Sequence, residues 1–206
     1  MVTSQIFQNL LTRSEIADII EFYETQPFFN TESDIRNKNL EYHLTDNYMY
    51  QLLYPKMCAI FGPDHIFDTG TYKSSRSPYI IHVDSRAQHD QYDHCMSFGT
   101  GRIKHNKAVL IPLVEGDQYR TITFQAWSDH NPSVADLQSH ATEKNHLDPA
   151  DFGHDANFSL IQDLAVDTDY HWRLGDVLIW DRNQWHMASD FWRFGKEKNF
   201  LVLFIE

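Results

Sequence analysis

Apolar positions follow two different rhythms along this chain. Near the start, Ile16, Ile19, Ile20 and Tyr23 recur at three- and four-residue intervals, the period of one face of an α-helix. Thr12 and Glu15 stand in the S/T-x-x-E order of a capping box, in which each partner satisfies a free amide of the first turn. Leu11 and Ile16 flank the cap as a hydrophobic staple. Together these signals predict a helix over Arg13–Glu24, ending before Pro27. A second apolar face, Met49, Leu52, Leu53, Met57 and Ile60, follows Asp46. Pro55 inside it predicts a kink or a fresh helical start, and Gly62-Pro63 an end.

Beyond about residue 66 the rhythm changes to short runs of β-branched and aromatic residues. Ser77–Asp84, Lys107–Val114, Tyr119–Ala126, Asp176–Asp181 and Lys198–Ile205 read as strands, with weaker candidates at Phe67–Lys73 and Phe158–Leu164. Gly116-Asp117 and Gly175-Asp176 mark tight turns. Two helices followed by many short strands predict a mainly β chain, a barrel or jelly roll with a helical flank. The expected division is one domain, with residues 1–66 as the flank and 67–206 as the barrel. Ser85–Lys104 and Ser128–Asn157 are polar and rich in His and Asp. Neither reads as core. The second is a long insertion near 128–157, expected to be a cover over a site or a disordered segment.

Composition narrows the function classes. Of the 206 residues 42% are hydrophobic and 14% aromatic, enough for a substantial core with a ring-lined pocket. A formal charge of -12 opposes general nucleic-acid binding, which needs clustered Lys and Arg. The two cysteines, Cys58 and Cys95, form no CxxC pair, so thiolate zinc and dithiol redox chemistry are not expected. There is no basic start followed by an apolar run, and no stretch long enough to cross a bilayer. A cytoplasmic location and no membrane partner are therefore expected.

The candidate chemistry lies at His82 and Asp84. Residues two apart on a strand point to one face, so an imidazole and a carboxylate can reach one ion. Two His and one carboxylate, with open positions beside them, form the facial triad of non-haem iron(II) oxygenases. With 12 His in the chain, an H-x-D pair alone is weak evidence, and His146-Leu-Asp148 is a second. That one lies in a polar stretch directly before Pro149 and reads as a loop feature. About a hundred residues after Asp84, GDVLIWDRNQWHMASDF leads from a strand through a turn to His186, and KEKNFLVLFIE gives a last strand. The plainer readings are an ordinary pair on a solvated strand face, and a core histidine among Trp180, Trp185 and Trp192. His89, Asp93, His94 and Cys95 match no closed tetrahedral zinc spacing. Arg182 reads equally as a contact behind the site or as a surface ion pair.

The order of an early H-x-D, a late His and a last strand opening with a cation resembles the 2-oxoglutarate/iron(II)-dependent dioxygenase superfamily. NLLTRSEIADIIEFYE looks like the helix before the barrel in prolyl-hydroxylase-like members. GDVLIWDRNQWHMAS is similar to the approach to the distal histidine in phytanoyl-CoA-hydroxylase-like members. The resemblance implies a double-stranded β-helix, a cupin-like jelly roll. It implies Fe(II) on His82, Asp84 and His186, with 2-oxoglutarate and O2 at the remaining positions and succinate and CO2 as products. It speaks against a halogenase, in which the carboxylate is missing. On the last strand the family usually places Arg, followed two residues on by Ser; here Lys198 and Phe200 stand there. Lys198 is thus the implied co-substrate anchor, with Lys107 as the competing choice from a mid-barrel strand. The expected reaction is hydroxylation or demethylation of a small-molecule or amino-acid-like substrate. A cupin-like metal enzyme without 2-oxoglutarate, and a barrel that binds a ligand without catalysis, stay open beside it. The sequence does not specify an oligomeric state.

Overall fold

The computed structural model describes residues 4–25, 35–39, 48–65, 67–84 and 106–205. Helix α1 runs over Arg13–Glu24, with both halves of the predicted capping box formed: Thr12 accepts from the Glu15 amide and Glu15 accepts from the Thr12 amide. Helix α2 is Tyr48–Phe61 and passes through Pro55. The strands are β1 Gln5–Phe7, β2 Ile35–Asn39, β3 Phe67–Ser75, β4 Lys107–Pro112, β5 Arg120–Trp127, β6 Val166–His171, β7 Val177–Asp181, β8 Gln184–Ala188 and β9 Lys198–Ile205.

The chain is mainly β, with two antiparallel sheets. The larger has six strands in the order β1-β7-β4-β9-β3-β2, the smaller three in the order β6-β5-β8. Among the described residues no ladder closes the two sheets into a continuous barrel. Strand alternation divides the larger sheet cleanly. Val109, Ile111, Val177, Ile179, Leu201 and Leu203 face α1 and α2 and share a core with Ile16, Ile19, Leu53 and Met57. Leu110, Leu178, Trp180, Phe200, Val202 and Phe204 lie on the opposite face and pack with Tyr119 and Tyr170 of the smaller sheet's end of the chain. The second face is the one turned toward the smaller sheet.

The turn at Gly175 shows how tightly the flank docks. Its φ is +91°, and a Cβ there would lie 2.4 Å from the Leu11 carbonyl oxygen, which faces the turn that begins β7. The Leu11 amide donates to the Gly175 carbonyl at 3.0 Å, pinning the entry to α1 against that turn.

Three sequence expectations are corrected. Phe158–Leu164 is not a strand; Phe158–Ile161 is a short helix with Phe158 and Ile161 buried one turn apart. Ser77–Asp84 is not a regular strand, and its one ladder contact is a bridge between His82 and His186. The polar insertion is not a plain loop. It carries α3 Val134–Ser139, α4 Pro149–Phe152 and, just beyond it, α5 Phe158–Ile161. Leu137, Leu147 and Phe152 from this region are almost fully buried, in a third core with Ile81, Val83, Ile122, Phe124, Trp185 and Met187. Polar residues outnumber these few apolar ones, which is why composition alone hides the packing. Asp151 of the insertion also pairs with Arg120 of β5 at 2.9 Å and with Arg193.

Candidate metal centre

His186 sits in the middle of β8, buried, between Trp185 and Met187, which face the outer core. Alternation therefore turns His186 inward. Opposite it, His82 makes both backbone hydrogen bonds of an antiparallel pair: its amide donates to the His186 carbonyl at 2.9 Å and its carbonyl accepts at 3.0 Å. The two imidazole centroids are 4.1 Å apart. Asp84, two residues on, brings Oδ2 to 3.2 Å from Nε2 of His186. One ligand atom from each of His82, Asp84 and His186 falls within 4.8 Å of the others. The structure thus brings together the three residues singled out in the sequence.

Each histidine is oriented by the same local device. Nδ1 of His82 lies 2.7 Å from the Ile80 carbonyl, and Nδ1 of His186 lies 3.0 Å from the Gln184 carbonyl. With the proton on Nδ1 donated to those oxygens, both Nε2 lone pairs are left for an ion. The bond to Ile80 also explains why this segment is not a regular strand: a carbonyl that would extend the ladder toward β8 is turned to the ring instead. Asp84 is held at its backbone by Arg182. Its amide donates to the Arg182 carbonyl at 2.8 Å, and Nε of Arg182 donates to the Asp84 carbonyl at 3.0 Å. Arg182 is 1% exposed and covers the Phe204 ring at 4.4 Å, so it is a buried brace rather than a surface ion pair.

The charge states suit a cation. Burial, with the neighbouring His186, pushes the His82 imidazole down to about 3, so it is neutral at ordinary pH. Burial alone would raise the Asp84 carboxyl. The His186 imidazole against it outweighs that and, with His82 and Lys73, holds it well below the usual carboxylate range. A neutral imidazole and an ionised carboxylate are the forms that ligate metals.

The triad opens onto a cleft between the sheets, lined by Lys73, Tyr79, Thr121, Trp180, Lys198 and Phe200 among others. Lys198 opens β9, is 3% exposed, and rests its Nζ 4.0 Å above the Trp172 ring. Among the described residues no carboxylate pairs with it. Burial, and then the charge of Lys73, push its ammonium down to about 7. Trp180 also keeps its indole N–H buried, with no partner among the described residues. Lys107 is elsewhere: it pairs with Asp181 at 3.6 Å and does not line the cleft.

Lys73 is a cation the sequence reading missed. It faces the cleft because β3 pairs in register with β9, setting Lys73 opposite Phe200 and Ser75 opposite Lys198. The alternation of inward Lys198, Phe200 and Val202 could have revealed it only once that pairing was known. The second H-x-D proves structural: His146 pairs with Asp169 at 3.1 Å, and Asp148 caps α4. His89, Asp93, His94 and Cys95 lie outside the described residues.

Comparison with known proteins rests on shape. No family model and no curated protein matches the sequence. Solved structures do match. The non-haem, alpha-ketoglutarate-dependent epimerase SnoN of nogalamycin biosynthesis aligns over 99% of this chain and 77% of its own, at TM-score 0.60 and 10% identity. HygX of Streptomyces hygroscopicus, with nickel and 2-oxoglutarate bound, aligns over 99% of this chain and 83% of its own, at TM-score 0.61 and 11% identity. A Pseudomonas putida prolyl-4-hydroxylase aligns over 100% and 93%, at TM-score 0.53 and 7% identity. The chain has the fold of the 2-oxoglutarate/iron(II) oxygenases. In this oxygenase fold the two sheets face each other across the cleft, and His82, Asp84 and His186 converge at one of its walls.

Proposed function

We propose that the protein is an Fe(II)- and 2-oxoglutarate-dependent dioxygenase that hydroxylates or demethylates a small molecule, with succinate and CO2 as co-products. One observation carries the reading: a two-histidine, one-carboxylate cluster and a buried lysine, without a carboxylate partner among the described residues, line the same cleft of an oxygenase fold. The donor set suits iron(II), since one oxygen and two nitrogens on one side leave the cleft side free. Iron(II) and 2-oxoglutarate, when bound, would supply the electrons that activate O2.

The chain's own residues bind and orient. His82, Asp84 and His186 would hold the metal. Lys198 takes the distal carboxylate of 2-oxoglutarate, deep among Trp172, Phe191 and Phe200. Its charge there is little screened by water, so the pairing is strong. Trp180, which lines the cleft and has no indole partner among the described residues, offers its N–H to the same ligand. Apolar walls from Leu110, Phe200 and Val202 keep water from the reacting atoms.

A small-molecule substrate is supported by the fold's company: SnoN is solved with nogalamycin RO and HygX with hygromycin B. The net charge of -12 makes a nucleic acid a poor substrate. The test is succinate release from 2-oxoglutarate by the iron-loaded protein in air, with and without a small-molecule library. Release that depends on iron and O2 supports the reading. A metal-loaded, folded protein that never forms succinate would move the chain to a cupin-like metal protein that does not use 2-oxoglutarate, or to a ligand-binding barrel.

A further inference from the structure

The segment carrying His82 and Asp84 lies at the edge of the smaller sheet, next to β8. Alternation aims the amides of His82 and Asp84 at β8 and the turn before it, where they bond to the carbonyls of His186 and Arg182 at 2.9 and 2.8 Å. The amides of Ile81 and Val83 then point away from the sheet. An edge with free amides is open to fraying and to slippage. A slip of one residue would turn both candidate ligands away from the cleft.

Those outward amides are not free. Ile81 donates to Oδ2 of Asp155 at 2.9 Å, and Val83 donates to Oδ1 of Asn131 at 3.0 Å. Both acceptors come from the long insertion. We propose that Asp155 and Asn131 are positioning residues for the metal centre, taking the outward amides that a next strand would take and fixing the register of His82 and Asp84. The proposal rests on the metal reading of the triad.

The placement of Asp155 supports such a role. It is 3% exposed, although it is an acid in a largely polar stretch. Its second oxygen, Oδ1, accepts from the Asn157 amide at 2.9 Å, and its own amide donates to the Phe152 carbonyl at 3.2 Å. Phe152 and Phe158, on either side of it in sequence, stack with centroids 5.7 Å apart inside the core that also buries Ile81 and Val83. The carboxylate is therefore fixed by packing before it meets the Ile81 amide. Asn131 acts from a different place, on an exposed loop ahead of α3. The insertion packs against the outer face of the ligand segment, and in this account it holds the site from behind.

Cobalt(II), followed by its visible absorbance, is the probe, and the 206-residue chain is the material. Asp155→Ala is expected to weaken cobalt binding about 10- to 100-fold, the usual cost of losing a group that orients ligands. Asn131→Ala, which removes a more exposed bond, is expected to weaken it about 3- to 10-fold. Asp155→Asn keeps an acceptor oxygen and should stay within about threefold of the parent. Amide exchange adds a readout that general destabilisation would not mimic. Ile81 should lose most protection in Asp155→Ala and Val83 in Asn131→Ala, the amides of His82 and Asp84 should lose some as the register loosens, and those of β4 should keep theirs. Unchanged cobalt affinity in both alanine variants overturns the proposal, as does a loss in Asp155→Asn equal to that in Asp155→Ala. If Asp155→Ala does not fold, Asn131→Ala decides alone. Failure of the parent to bind cobalt would sink the metal reading itself, whereas parent binding with unaffected variants sinks only the positioning role.

Discussion

Replacing Lys198 by methionine should make the ligand-free protein more stable and poorer at binding 2-oxoglutarate. The lysine is 3% exposed, and its ammonium is pushed from 10.5 down to about 7 by burial and by Lys73. That fall corresponds to about 5 kcal/mol held against the charged form below neutral pH. The Trp172 ring, 4.0 Å from Nζ, returns about 1–2 kcal/mol through its cation–π attraction. The net gain expected from Lys198→Met is thus about 3 kcal/mol, or roughly 6–12 °C in Tm for a chain of this size. The sign follows from proton counts. Between about 7 and 10.5 the unfolded chain holds the proton and the native one does not, so stability of the parent rises with pH in that window. The advantage of the methionine variant should be full below about pH 7 and fade as the pH approaches 10.5. Its 2-oxoglutarate affinity should fall about 30-fold or more, since a stranded carboxylate costs roughly 2–5 kcal/mol. Urea unfolding at pH 6.5 and 9.5 measures the first effect and isothermal calorimetry the second. A variant that is less stable at pH 6.5, or as good at binding 2-oxoglutarate, would refute the reasoning.

Other expectations follow from the same cleft and core. Lys107→Ala should leave 2-oxoglutarate affinity unchanged in calorimetry, because its partner is Asp181 and it does not line the cleft. Lys73→Met removes a like charge beside Lys198, so the pH above which 2-oxoglutarate affinity declines should move upward from about 7; an unmoved midpoint would mean the two cations are uncoupled. Phe152→Ala should cost about 3–5 kcal/mol in urea unfolding, because the ring is 0% exposed in the core behind the ligand segment; a cost below about 1 kcal/mol would show the insertion to be a loose cover.

Much of the site was legible because its chemistry is encoded at short range. His82 and Asp84 share a face at a spacing of two residues, and GDVLIWDRNQWHMAS carries a strand, a turn and His186 in one stretch. The bounds of α1 follow from a capping box that acts within four residues. What stayed hidden depends on long-range pairing. Lys73 becomes a cleft residue only through the β3–β9 register, and Asp155 becomes a partner of Ile81 across 74 positions of sequence. The Ser77–Asp84 run has strand composition, but its Ile80 carbonyl serves the His82 ring. In Phe158–Leu164, Phe158 and Ile161, spaced by three, pack as one helical turn despite a composition that suits a strand, and Leu164 follows as an isolated bridge to Ala141.

The central claim is that His82, Asp84 and His186 hold iron(II) in a cleft that also takes 2-oxoglutarate. Anaerobic titration of the protein with iron(II) and then 2-oxoglutarate tests it most directly, through the visible metal-to-ligand charge-transfer band of a chelated complex. The account predicts one iron per chain and a band that grows to saturation in the parent. In His82→Ala and His186→Ala it predicts no band, with circular dichroism unchanged. A folded parent that shows no band with both ligands present, or a band that persists in either histidine variant, would contradict it.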